Sequence, residues 1–306
     1  MQTETKEELH IGGSEISVVM GLNRWKTPLR LWAEKTGRII TEDISEKEWI
    51  KLGTELEDFV ARKFSKKTGL PVRRDTRTFK HPKYPYMVAH IDRRITGIDE
   101  LLECKTANAW KAKEWEGEDI PQEYVLQVMW YLGILGHKKG YIAVLIGGQK
   151  FLWKEIFFDQ ELFDKMVEVA KNFVEINIGQ DIAPIAVSGD SATLMRLYPE
   201  QAEKIILQRQ DKETNELVEE IQALKRVIDS AELDKEEKEA KLKQIIGDTE
   251  GIETLNYKVT WKAQNYSRLD TQKIKDDGLY EKYLIKASKR VLSVNKKKEI
   301  VNENIK

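Results

Sequence analysis

Hydrophobic residues at Trp49, Leu52, Leu56, Val60 and Phe64 recur close to every 3.6 positions. That period predicts an amphipathic helix from Glu46 to Lys66, with Gly69 just past its end. A different pattern follows. Leu101 to Lys105 is a short, largely apolar run in which Leu102 and Cys104 alternate with Glu103 and Lys105, as on an extended strand. The apolar stretch from Tyr86 runs into Asp92, and Gly97-Ile98-Asp99 supplies a hairpin turn between the two runs. Gln122 to Gly133, preceded by Pro121, reads as a mostly buried helix. Lys150 to Asp159 alternates like a strand, and Glu161 to Ile176 repeats like a helix.

From Gly179 to Pro184 and again from Ser188 to Ser191 the chain is rich in turn formers, which predicts a boundary between a core, 1–185, and an appendage, 191–306. In the appendage Leu217, Ile221, Leu224, Ile228 and Ala231 step by four and three, as in a coiled-coil seam. Lys235 and Lys238 interrupt the seam before Leu242 and Ile245 resume it, so two helices joined by a hairpin are expected. Tyr257 to Trp261 reads as a short strand. The overall expectation is an α/β core followed by a helical, coiled-coil-containing region.

Charge changes this picture only locally. The 306 residues include 51 Lys and Arg against 52 Asp and Glu, so any affinity for nucleic acid has to come from patches. One patch, Arg73, Arg74, Arg77, Lys80, Lys83, Arg93 and Arg94, surrounds Asp92; a second comprises Lys286, Lys289, Arg290 and Lys296 to Lys298. A solvated face is the ordinary fate of such runs, but a basic patch wrapped round a carboxylate site suits the DNA backbone. The single cysteine permits no intramolecular disulfide and no four-cysteine iron–sulfur clamp, which fits a reducing cytoplasm. No signal peptide or membrane-spanning run is visible and no phosphate-binding Walker loop occurs, so a soluble protein without that type of ATP motor is expected.

The candidate chemistry lies in the hairpin. On a strand, residues two apart share a face, so Glu103 and Lys105 point together, and folding at Gly97 brings Asp92 beside them. Two carboxylates at one strand pair make a hard oxygen site of the kind Mg²⁺ prefers, and Lys105 can orient or deprotonate a water. Glu-x-Lys is by itself cheap: it recurs at Glu236-x-Lys238 and Glu239-x-Lys241, in a polar helical stretch. Only the copy at 103–105 interrupts a buried-looking strand, where unpaired charge is costly. Glu57, one turn beyond Gly53, leans over a position without a side chain, which leaves space for a metal or phosphate. Gln127, inside an apolar helix, needs hydrogen-bond partners and serves either as a satisfied core group or as a site wall, with Tyr131 on the same face. Ser14, after Gly12 and Gly13, is expected to cap the helix that follows.

Taken in order, Ile11-Gly-Gly-Ser-Glu-Ile16, Gly21 to Leu29 (GLNRWKTPL), Gly53-Thr-Glu-Leu-Glu57, Asp92, Glu103-Cys-Lys105 and Gln127-Val-Met-Trp-Tyr131 resemble the YqaJ-type phage recombination nucleases, which belong with the lambda exonuclease group. The resemblance runs by motif from about residue 10 to 180 and is far more specific than any one element. It implies a restriction-endonuclease-like (PD-(D/E)xK) core with Glu57, Asp92, Glu103, Lys105 and Gln127 in the catalytic places. Asp92, Glu103 and the Cys104 carbonyl would be the metal ligands, for Mg²⁺ or Mn²⁺. It implies that Ser14 holds a terminal 5′-phosphate. The arginine expected seven residues earlier is Glu7 here, leaving Arg24 or Lys26 to substitute; Arg93 and Arg94 would contact the DNA.

The implied activity is 5′-to-3′ resection of double-stranded DNA ends, leaving 3′ single strands for a phage annealing protein. The implied assembly is a homo-oligomeric ring, a trimer, in the cytoplasm of a bacterial host carrying the phage or prophage. The alternatives are an endonuclease on the same fold and a non-catalytic recombination scaffold that binds DNA through the C-terminal helices.

Overall fold

The computed structural model describes residues 9–41, 43–201, 206–209, 211–286 and 290–294, which form two compact units, 1–198 and 199–306. In the first unit the elements run α1 (Gly13–Val19), α2 (Pro28–Lys35), α3 (Glu48–Thr68), β1 (Val72–Arg74), β2 (Phe79–Lys80), β3 (Val88–Ala89), β4 (Arg93–Ile95) and β5 (Glu100–Ala107). A 3₁₀ helix (Ala109–Trp115), α4 (Gln122–Leu135), β6 (Lys139–Ile146), β7 (Lys150–Phe157), α5 (Gln160–Asn172), a π-helical extension (Phe173–Ile178) and α6 (Ser191–Leu197) complete it.

Five strands form one sheet in the order β1-β4-β5-β6-β7. β4 and β5 are antiparallel, with Arg93 opposite Leu102 and Arg94 opposite Leu101. Gly97 makes the turn between them at φ +90°, a region that favours glycine. β5 and β6 are parallel, which requires a crossover, and α4 provides it. Alternation on β5 splits the core. Leu102 and Cys104 pack with Val60, Ala61 and Phe64 of α3, while Leu101 faces the larger cluster built from α1, α2, α4 and α5. Helices thus cover both faces of a mixed sheet, and the acidic hairpin lies at its centre; this is the architecture expected of a restriction-endonuclease-like core.

The first unit extends past the predicted boundary at 185. The Asp190 carboxylate accepts hydrogen bonds from the Thr27 hydroxyl at 2.5 Å and the Val187 N–H at 2.9 Å, and Asp190 and Thr193 are buried. Turn-rich composition marked a bend within the unit rather than its end.

The second unit contains α7 (Lys212–Ile246), the hairpin β8 (Gly251–Glu253) and β9 (Lys258–Thr260), and the short helices α8 (Thr271–Asp276) and α9 (Tyr280–Tyr283). The expected helical hairpin is instead one helix of 35 residues. No glycine or proline lies between Lys212 and Ile246, and the segment meant to turn is made of strong helix formers. Its charges pair along the helix, Lys235 with Glu239 at 3.2 Å and Lys241 with Glu237. The seam residues Leu217, Ile221, Leu224 and Ile228 are all exposed. Among the described residues no helix is long and apolar enough to cross a membrane.

Candidate active site

The hairpin brings Asp92, Glu103 and Lys105 together as its spacing predicts. The Cys104 N–H donates to Asp92 Oδ2 at 2.7 Å, which ties the residue before β4 to the middle of β5. Glu103 is 2% exposed; its Oε1 accepts from Lys105 Nζ at 2.6 Å and from Gln127 Nε2 at 2.7 Å. Its second oxygen, Oε2, is buried without a hydrogen-bond partner. Burial, reinforced by the neighbouring Asp92 and Glu57 carboxylates, pushes the Glu103 carboxyl up to about 8 despite the opposing Lys105. Burial works against the Lys105 ammonium, but Glu103 and Asp92 outweigh it and hold its pKa above the ordinary lysine value. The Tyr124 ring also lies against that ammonium, 5.1 Å from Nζ.

Gln127 is a satisfied core group that also walls the acidic cluster. Its amide nitrogen bridges Glu103 and the Tyr131 hydroxyl, the latter at 2.9 Å. Burial raises the Tyr131 phenol well above its ordinary range, so it remains protonated. Helix α1 closes on this wall through Gly13, where an added Cβ would fall 2.3 Å from the Tyr131 ring.

Glu57 reaches the group from α3. Its pKa is raised, first by desolvation and then by Asp92, with Arg93 opposing. At Gly53 an added Cβ would meet only Thr106 Oγ1, at 3.9 Å, so the space expected there exists. Asp58 was missed in the sequence, although it is Asp58, more closely than Glu57, that binds Arg93: 2.5 Å against 3.7 Å. Tyr124 was missed too; its position three residues before Gln127 on one helix was the available signal.

The basic residues are placed less as expected. Arg93 is 3% exposed and also donates to the Asp92 main-chain oxygen at 2.7 Å, so it braces the acidic group from within. Arg94 faces Asp75 at 3.4 Å. Arg24 pairs with Glu114 at 2.7 Å and Glu123 at 3.1 Å, and Lys26 with Glu34 at 2.7 Å. Ser14 is exposed, but it is the second residue of α1 and not its cap. Gly12 holds the cap position, and its N–H donates to the Glu15 carboxylate at 3.1 Å. Glu7, Lys289 and Lys296 to Lys298 lie outside the described residues.

The donor set suits a hard divalent cation. The unpartnered Oε2 of Glu103 is a buried oxygen with no protein donor, and Asp92 and Glu57 add negative charge beside it. Mg²⁺ commonly takes one or two carboxylates and fills its remaining positions with water and phosphate oxygens. The absence, among the described residues, of three His, Cys, Asp or Glu side chains gathered as a metal cage is compatible with that mode.

A mixed α/β core with acids and a lysine at its central hairpin defines the class. The YqaJ-like viral recombinase domain matches residues 4–138. Over 278 residues the chain is 39% identical to the uncharacterized protein YqaJ of Bacillus subtilis (strain 168), an alignment spanning 89% of this chain and 86% of that protein. The chain belongs to the YqaJ-like viral recombinase family. Among solved structures, an alkaline exonuclease from Laribacter hongkongensis is similar at 18% identity and a TM-score of 0.49, over 56% of this chain and 89% of that one. A phage-related exonuclease from Haemophilus somnus 129PT is similar at 13% and 0.44, over 57% and 98%.

Proposed function

We propose that this protein is a metal-dependent deoxyribonuclease, an exonuclease that resects double-stranded DNA from the 5′ side and leaves 3′ strands for a phage annealing protein. The observation that carries the reading is the Glu103 carboxylate, with one oxygen held by Lys105 and Gln127 and the other buried and unpartnered. Asp92 and Glu103, with the Cys104 carbonyl, would hold Mg²⁺ or Mn²⁺, which when bound polarises a phosphate oxygen and acidifies a water. Lys105, kept protonated by its two carboxylate neighbours, acts as a fixed cation toward the charge that develops on the phosphate, and not as the base. Gln127 fixes the rotamer of Glu103, and Arg93 fixes the main chain at Asp92. Ser14 is exposed for contact with a terminal phosphate, whereas Arg24 and Lys26 would have to exchange carboxylate partners to join it. A homo-oligomeric ring is proposed as the source of persistence on DNA.

Digestion of linear duplexes labelled at the 5′ or 3′ end tests this reading, with Mg²⁺ and with chelator. Metal-dependent release from 5′ ends, faster with a 5′-phosphate than a 5′-hydroxyl, is expected. Cleavage of covalently closed DNA would favour an endonuclease, and no metal-dependent loss of any substrate would favour the scaffold.

A further inference from the structure

We propose that α7 pairs with α7 of a second copy of this chain, antiparallel, as a two-stranded coiled coil; the proposal is independent of the nuclease reading. Because the helix does not turn back on itself, its seam finds no partner within its own length. Leu217, Leu224 and Ile228 are 55%, 63% and 55% exposed, and Ile245 is open as well. Val294 approaches α7 at Gln222, whose amide donates to its main-chain oxygen at 2.9 Å, and Gln222 lies beside the seam and not in it. An apolar stripe of this length marks an interaction surface.

The seam and its flanking charges select the occupant. Ile221 and Ile228 fall at a positions, Leu217 and Leu224 at d, and Lys235 and Lys238 at the next a and d. Isoleucine at a with leucine at d suits two strands. In a parallel pair each core residue meets its own copy, so Lys235 would face Lys235 and Lys238 would face Lys238. Reversing one strand about the middle of α7 removes both clashes. Leu217 then lies against Leu242 of the second copy, Ile228 against Ala231, Leu224 against Lys235 and Ile221 against Lys238. Each lysine stem covers an apolar neighbour while its ammonium reaches water, and Lys235 already has Glu239 at 3.2 Å on its own helix.

The flanks fix the register. Lys225 and Glu232, both at e positions, make no ion pair among the described residues. In the reversed pair Lys225 of each copy meets Glu232 of the other, twice by symmetry. Sliding the strands one heptad in one direction sets Lys225 against Lys225, and in the other direction Glu232 against Glu232. Charge at these positions therefore chooses both orientation and alignment.

The test uses the full-length protein with cysteines in the seam. Positions 217 and 242 are roughly 38 Å apart along one helix but adjacent across the pair. Mild oxidation of Leu217→Cys/Leu242→Cys is expected to give a covalent dimer on a non-reducing gel, and neither single variant should do so; the native Cys104 is buried. A disulfide reports neighbours and not mass, so a ring assembled through other surfaces does not alter the reading. In sedimentation equilibrium Lys225→Glu should weaken the self-association that depends on α7 roughly tenfold, and Lys225→Glu/Glu232→Lys should restore it. Leu233→Glu, on the far side of the same helix, should leave it unchanged. Crosslinking of Leu217→Cys alone would mean a parallel pair, and no crosslinking of the double variant would mean that another partner, or none, covers the seam. Either result overturns the proposal, as does self-association that ignores Lys225→Glu.

Discussion

Among the described residues the acid-x-lysine spacing occurs in two settings. At Glu103 and Lys105 it lies on an extended strand, where residues two apart share a face, and the two groups bind each other at 2.6 Å. At Glu236-x-Lys238 and Glu239-x-Lys241 it lies on α7, where residues two apart are separated by about 200° around the axis. Those charges look elsewhere for partners: Lys241 binds Glu237 and Glu239 binds Lys235, each four residues away. The strand copy is buried against helix α4, and its carboxyl is pushed up to about 8; the helix copies face water. Identical spacing therefore yields a poised acid–cation pair in one place and a solvated surface in the other, because geometry and burial give it meaning.

Neutralising the acids should separate the two settings most sharply. Glu103→Gln and Asp92→Asn are each expected to lower Mg²⁺-dependent cleavage by on the order of 10²–10³-fold or more, read as initial rates on end-labelled linear duplex. Glu236→Gln and Glu239→Gln should leave that rate unchanged. Near-normal turnover in purified Glu103→Gln would remove it from the catalytic set.

The lysines come next. Lys105→Met is expected to cost roughly 10²-fold in rate with a smaller effect on metal affinity, since the group stabilises charge and does not ligate. Lys241→Met should leave the rate alone and cost only about 0.3–0.5 kcal/mol in a urea titration, the value of an exposed pair on a helix. A matching loss of rate in both variants would mean that the buried setting confers nothing special.

A third substitution tests the wall behind the strand copy. In Gly13→Ala the new methyl would meet the Tyr131 ring, so a loss of about 1–3 kcal/mol is expected, with reduced activity as Gln127 loosens. Pairing it with Tyr131→Leu should recover part of the stability; if it does not, the close approach of α1 and α4 is not the cause.

The sequence revealed the strand copy because period and turn chemistry are local. The α3 period ending at Gly69, the Gly97 turn and the alternation of Leu102 and Cys104 against Glu103 and Lys105 all hold in the structure. Partners set by tertiary approach were not legible. Nothing near Arg93 announces Asp58, and nothing near Arg24 announces Glu114, 90 residues away. Ser14 failed as a cap because the chain offers Glu15, whose longer side chain reaches back to the Gly12 N–H. The α7 hairpin failed because an interrupted seam was read as an interrupted helix. Charged residues can break an apolar stripe without weakening the backbone helix beneath it.

The smallest expected effect concerns a titratable group outside the site. His137, between α4 and β6, is buried with Nδ1 unpartnered, and burial, aided by Arg94 and opposed by Asp99 and Glu100, lowers its pKa. Its folded pKa then lies below the unfolded value of about 6.5, so below that pH the unfolded chain binds the additional proton. The stability linked to His137 is complete above the unfolded pKa and is lost as pH falls beneath it. Urea midpoints at about pH 7.5 and about pH 5 should therefore differ less for His137→Gln, which cannot take up the proton, than for the unmodified protein. Lys241→Gln, on the solvated helix, should show the same pH difference as the unmodified protein. If His137→Gln also leaves that difference unchanged, the buried imidazole does not contribute to acid sensitivity, and the contrast between buried and solvated charge is confined to the hairpin.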